Sequence, residues 1–177
     1  MVLAVEMAVN THYEKRELLR LARSGHLRKL QLLLQNDVEV NFLHHKTGMT
    51  PLMTAVYAGC EAAVDLLLKH NSDPNLRAAD NASALHWACR NGDLKIVEML
   101  IHAGADLNVR RLTDRNNDGP APIHMALGES HGDIAISLIE AGASVDVEYF
   151  GKTVVEYAEH CGCQAVVLHL HQRGIRR

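Results

Sequence analysis

The sequence predicts an all-α solenoid, a row of similar helical units instead of one rounded core, and three observations carry that reading. A block reading roughly as turn, T-P-L-H-like entry, A-x-x-x-G, apolar segment and G-A-D-x-N returns about every 33 residues along the 177-residue chain. Glycines recur at fixed offsets inside the block, where a helix stops and the chain reverses. The chain is 47% apolar yet holds only two Phe and one Trp, so Leu, Ala, Val and Ile must build the interior. Small residues of this kind suit helices that pack closely at every repeat.

Taken in order, an upstream unit keeps only the second half of the block, with Leu18, Leu21, Ala22, Ser24, Gly25 and His26, then Leu32, Leu33, Leu34, Val40 and Asn41. Thr11, His12, Tyr13 and Glu14 offer it a capping box, in which hydroxyl and carboxylate each satisfy a free amide of the first turn. The first full unit supplies Gly48, Thr50, Pro51 and Leu52, then Ala55, Gly59, Leu66 to Leu68, and Ser72 to Asn75. The second answers with Ser83 to Ala88, Gly92, Val97, Leu100, Ile101, and Gly104 to Asn108. The third has Gly119, Pro122 to Ala126, Ser130, His131, Leu138, Ile139, and Gly142 to Asp146. A downstream unit keeps the first half of the block in Gly151, Thr153, Ala158, Gly162, Val166, Val167 and Leu170. Pro51 and Pro122 stand where a first helical residue has no amide to satisfy. One domain of five segments results, 1–44, 45–77, 78–110, 111–147 and 148–177, the outer two serving as caps.

This pattern resembles the ankyrin-repeat family over nearly the whole chain, because several rare features recur together at fixed offsets. The resemblance implies a β turn, two antiparallel helices and a loop in each unit, stacked as an ankyrin-repeat α-solenoid of helix-turn-helix units with protruding β-turn loops. It also implies binding of other proteins through the turn tips and the concave inner-helix surface. His86 and His124 occupy the family's histidine position, which implies a neutral imidazole bridging backbone groups of adjacent turns. Met53 and Glu156 stand there in the other units, so those joints should lack the bridge. Asn41, Asn75 and Asn108 follow Leu33, Leu67 and Leu100 by eight residues and resemble asparagines hydroxylated in many animal ankyrin repeats. Their structural role should be to tie the loops between repeats through hydrogen bonds to the backbone.

A formal charge of -3 and a pI near 6.4 give no general drive toward nucleic acid or an anionic membrane, and neither is expected as a partner. Four cysteines are few for a disulfide scaffold, and Cys89 falls where the block wants a small buried alanine. Reduced thiols point to the cytoplasm or nucleus. The apolar opening Val2 to Val5 is broken by Glu6 and has no basic leader, and no run approaches the ~18 apolar residues of a membrane span. Arg16, Glu17, Arg20 and Arg23 near one end and His169, His171, Arg173, Arg176 and Arg177 at the other suggest a complete array, monomeric when free.

No residue pattern demands catalysis or a cofactor. His86 and His124 lack a neighbouring nucleophile that a general base would serve. Asp114 to Gly119 reproduces the first half of a calcium loop, but Met125 stands where the bidentate glutamate belongs and Pro120 and Pro122 stiffen the later ligand positions. Cys161, Cys163, His169 and His171 are types that bind zinc. On a helix rising 1.5 Å per residue, however, Cys163 and His169 lie about 9 Å apart, too far to share one ion. Phosphate-loop, dinucleotide, zinc-protease and serine-hydrolase motifs are missing. Asn81, Ala82 and Ser83 form a glycosylation sequon that an intracellular chain would leave silent. Trp87, in the inner helix, is expected to pack mostly within the stack, with an interface role as its other reading.

The positions open to a partner are Tyr57, Arg90, Asn91 and Glu129 near the inner-helix surface, and Lys46, Met49, Arg77, Ala79, Asp80, Arg110 and Asn117 at the turns. Ala84 and Pro122 are 38 residues apart instead of 33, which places a five-residue insertion near Arg111 to Arg115. It should form a finger carrying Arg110, Arg111 and Arg115, with Arg77 one repeat earlier. Arginine forks there suit carboxylate or phosphate; the other reading is a solvated loop neutralised by Asp114 and Asp118. The function read from this chain is a non-catalytic protein-interaction module, an adaptor or regulatory subunit. The alternatives are a dedicated inhibitor of an enzyme such as a protein kinase, or a structural arm of a larger assembly.

Overall fold

The computed structural model describes residues 2–112 and 119–175. Ten helices lie within them, in five pairs. These are α1 (Val2–Ser24) with α2 (Leu27–Leu34), α3 (Pro51–Tyr57) with α4 (Glu61–Lys69), α5 (Ala84–Asn91) with α6 (Leu94–His102), α7 (Pro122–Gly128) with α8 (Gly132–Glu140), and α9 (Val154–His160) with α10 (Gln164–Gln172). The odd-numbered helices pack one on the next as an inner layer, and the even-numbered ones do the same outside them. Among the described residues the only β pairing is the isolated bridge between Tyr149 and Lys152, so the fold is an all-α solenoid.

Local chemistry sets the helix ends. Thr50 is extended, and its hydroxyl accepts the Met53 amide at 3.0 Å while Pro51 takes the first helical position. In the last unit Thr153 and Glu156 complete a capping box, Glu156 N–H to Thr153 Oγ1 at 3.3 Å and Thr153 N–H to Glu156 Oε2 at 3.0 Å. Gly104, at φ +81°, closes α6: its amide reaches the Ile101 carbonyl at 3.0 Å and the Ala105 amide reaches Leu100 at 3.0 Å. Asn71 performs the same reversal after α4 at φ +61°, a conformation asparagine tolerates better than most residues.

One expected boundary is corrected. Thr11 is not a cap, because α1 continues back to Val2 and places Thr11 in its interior. No Gly or Pro interrupts residues 2–24, so nothing forces the backbone to stop at the polar residues.

The core is a continuous stripe through all five units. Alanine recurs where inner helices approach, and Ala55, Ala88, Ala126 and Ala158 are wholly buried. Leu67, Leu100, Leu138 and Leu170 line the outer layer's inward face, equally buried. Each such leucine stabilises the fold by about 2 to 3 kcal/mol relative to exposure. Cys89 is buried among them, and burial pushes its thiol far above the usual range.

The α3 and α5 helices begin 33 residues apart, whereas α5 and α7 begin 38 apart. The longer connection closes at its base, where the Arg111 amide donates to the Pro120 carbonyl at 3.2 Å and the Leu112 amide to the Asp80 carbonyl at 2.8 Å. Gly119 lies against this closure so tightly that a Cβ would come within 2.2 Å of the Arg111 carbonyl oxygen. Arg115 and Asn117, with Asp114 and Asp118, lie outside the described residues.

Candidate functional site

Polar groups at the joints between repeats are largely satisfied by backbone. His86 Nδ1 accepts the Ser83 amide at 3.1 Å, which leaves Nε2 as the N–H that donates to the Pro120 carbonyl at 3.2 Å. His124 Nδ1 accepts the Ala121 amide at 3.2 Å, while its Nε2 faces the backbone near Val147 without a bond of good geometry. Burial lowers the pKa of both rings to about 4, so both are neutral near pH 7. The asparagine ladder behaves as its spacing predicts. Asn41 donates to the Asn71 carbonyl at 2.9 Å and accepts from Asp73 N–H at 2.8 Å. Asn75 repeats this with Gly104 and Asp106 at 3.0 and 2.8 Å, and Asn108 accepts from Ser144 N–H at 2.8 Å.

Open surface lies elsewhere, including along the inner helices. Tyr57, at the end of α3, is 52% exposed and meets Trp87 of α5 edge to face, with ring centroids 5.4 Å apart. Arg90 stands over the Trp87 ring at 6.0 Å and pairs loosely with Glu129, which caps the end of α7, at 3.6 Å. Asn91 is partly committed to structure, its amide donating to the Val56 carbonyl at 3.2 Å. Together with Gly59 and Asp93 these side chains line a depression of about 660 Å³. Tyr57 also forms the wall of a second depression of about 430 Å³ toward the first unit, lined by Met49, His44, Thr54 and the α1 residues Arg16, Leu19, Arg20 and Arg23. The two depressions lie side by side with Tyr57 lining both, and together they form the groove face of the helices α1, α3 and α5.

Of the residues singled out from the sequence, the groove brings together Met49, Tyr57, Arg90, Asn91 and Glu129. Lys46 is exposed on its turn. Arg77 reaches Asp106 of the next unit at 3.5 Å. Arg110 is turned inward, donating from Nε to the Gly119 carbonyl at 3.1 Å and from Nη2 to the Glu148 carbonyl at 2.8 Å. Arg111 forms an ion pair with Asp80 and lies 5.9 Å from the Trp87 ring centroid. Burial pushes the Asp80 carboxyl upward, but Arg111 and the Ala82 amide outweigh it and hold its pKa below the ordinary range. Both arginines thus brace the base of the insertion.

Trp87 is half-buried, with its indole nitrogen inside and its ring edge on the groove. Cys163 is buried against the Leu127 carbonyl and Cys161 is half-buried; among the described residues no three His, Cys, Asp or Glu side chains converge as a metal site requires. No described helix is long and apolar enough to cross a membrane.

Sequence reading missed the α1 wall of the groove. Arg16, Leu19, Arg20 and Arg23 follow the spacing i, i+3, i+4, i+7 and so share one helix face. That spacing was the available signal.

Comparison with known proteins agrees with this architecture. The chain is 27% identical over 122 residues to the inactive serine/threonine-protein kinase TEX14 of Bos taurus, covering 69% of this chain and 8% of that protein. It is 28% identical over 167 residues to an ankyrin repeat protein of Fowlpox virus (strain NVSL), FPV031, covering 90% of this chain and 48% of the other. It is 34% identical over 89 residues to the B-cell lymphoma 3 protein homolog of Mus musculus, covering 50% and 19%. The chain therefore spans less than half the length of each of these relatives. A family model for ankyrin repeats in many copies matches residues 85–139, and one for three copies matches residues 18–111. Matched in this way over more than half its length, with every unit a helix pair joined to the next through its turns, the chain belongs to the ankyrin-repeat family.

Proposed function

We propose that this chain is a protein-interaction module, an adaptor or regulatory subunit of the cytoplasm or nucleus, whose partner lies in the groove of the inner helices. Ankyrin repeats in general mediate protein–protein interactions and are typically non-catalytic, which supports the broad reading. The observation that carries the finer one is the cluster of exposed Tyr57 and Arg90 about the half-buried Trp87. Tyr, Trp and Arg are the residues in which binding energy concentrates, since each combines large contact area with a polar handle at modest entropic cost. A rigid helical wall adds little ordering cost to association.

Site-specific photo-cross-linking tests this. A photoreactive phenylalanine analogue at position 57 in the groove is compared with one at position 98, where Glu98 is exposed on the outer helix α6. The expected result is a discrete covalent adduct in cell lysate from position 57 only. Adducts from position 98 alone, or from neither, contradict the proposal.

A further inference from the structure

We infer that the first-unit end of the groove recognises an acidic segment of a partner protein, with carboxylates held by Arg16 and Arg23 and an apolar side chain seated between them on Leu19 and Met49. The inference rests on the groove being the partner site and adds the chemistry of the ligand.

Charge is the first observation. The chain is net negative, but its first fifty residues hold seven Lys and Arg against five Asp and Glu, while the rest hold eleven against sixteen. The groove is where that positive excess gathers. Arg20 is committed to Glu17, with Nε to Oε2 at 2.8 Å. Arg16 and Arg23 are exposed on the same helix face, and neither forms a hydrogen bond or ion pair with any described residue. His44 on the opposite wall reports the same field: besides burial, His45, Lys46 and Arg16 all lower its pKa, and no anion opposes them. An arginine fork left without a carboxylate in a depression is an acceptor site for one.

Shape is the second. The depression of about 430 Å³ has the size of a small-ligand site, and its floor is apolar, formed by the half-buried Leu19 and Met49. Seven residues of helix separate the arginines by about 10 Å along the axis, which an extended chain spans in about three residues. Because side chains of an extended segment alternate faces, carboxylates at i and i+4 with an apolar side chain at i+2 share one face and span about 13 Å, within reach of both flexible guanidinium groups. A nucleic acid strand fits less well, because its charge continues past the groove along units carrying a net negative charge.

Fluorescence anisotropy with the full chain tests this directly. The probes are a short fluorescein-labelled peptide of Glu, Asp and Leu and its counterpart of Gln, Asn and Leu. The acidic peptide should bind saturably, at least about tenfold more tightly than the amide form, and weaken as salt rises from about 0.05 to 0.5 M. Arg16→Glu with Arg23→Glu should abolish binding. Lys69→Glu with Lys95→Glu, an equal change of charge on the outer helices, should leave it intact. Should the charge-reversed groove variant melt early, Arg16→Gln with Arg23→Gln replaces it, with the same loss expected. Overturning results are absence of saturable binding, equal binding of the amide peptide, equal loss in the outer-face variant, or tighter binding of single-stranded oligothymidylate. If position 57 cross-links a partner in the chain with Arg16 and Arg23 intact while the arginine changes leave peptide binding unaffected, the ligand chemistry falls and the groove stands; if position 57 gives no adduct even with both arginines intact, both readings fall.

Discussion

At the seam between the 78–110 and 111–147 units, His86 gives both ring nitrogens to backbone partners, and Asn75, at the seam before it, uses both ends of its amide in the same way. In the groove a few residues away, Arg16 and Arg23 have no polar partner among the described residues, and Tyr57 shows half its surface to solvent. Both regions are rich in polar and aromatic side chains. The seam saturates them with fixed backbone and gains stability; the groove leaves them open and gains little. Buried polar groups are costly when unpaired, so a seam residue is held to its task, whereas groove residues are free to be shaped by a ligand. Changes in the two regions should therefore separate cleanly, the seam altering stability and sparing ligand capture, the groove doing the reverse.

The largest effect is expected at the tightest seam contact. Gly119→Ala forces a Cβ onto the Arg111 carbonyl and should cost about 2 to 4 kcal/mol in urea unfolding. A cost below about 0.5 kcal/mol would mean that the base of the insertion is pliable.

Acid sharpens the comparison next. His86 and His124 have folded pKa values near 4, below the ordinary 6.5, so the unfolded chain binds more protons between those values. Their contribution is complete above about pH 6.5 and is lost as pH falls toward 4. Each should lose about 2 kcal/mol between pH 7 and 5. His86→Gln should flatten that part of the stability profile, and an unchanged slope would show that the ring is not held neutral.

A smaller seam effect is expected from Asn75→Ala, which strands the Gly104 carbonyl and Asp106 amide at an exposed loop. About 1 to 2 kcal/mol of stability should go, read from the shift in the urea midpoint at constant slope. Capture of the position-57 adduct should not change.

Much of this was legible in the sequence, because repeat architecture is written in features that act locally. Pro51 at a first helical position and Gly104 at a left-handed turn each follow from a few neighbouring residues, and the asparagine ladder, whose partners lie 29 to 36 residues away, follows from the recurrence of the block. The ends and long-range partners were less so. Thr11 looked like a cap, but an uninterrupted helix-permitting run back to Val2 overrides one favourable side chain. Arg110 and Arg111 looked like a binding edge, and their partners, Glu148 and Asp80, stand 38 and 31 residues away, beyond any local pattern. The arginines of α1 looked like solvent-facing residues of a terminal unit; only the packing of α1 on α3 turns their face into the wall of a groove.

The most direct test of the separation between seam and groove is the affinity of Tyr57→Ala for the partner identified by cross-linking at position 57, measured by titration calorimetry beside a thermal melt. Tyr57 buries only part of its ring against Trp87, so stability should change by less than about 1 kcal/mol, while affinity should fall at least about tenfold. Unchanged affinity, or a loss of affinity that merely follows a loss of folded protein, would contradict the account.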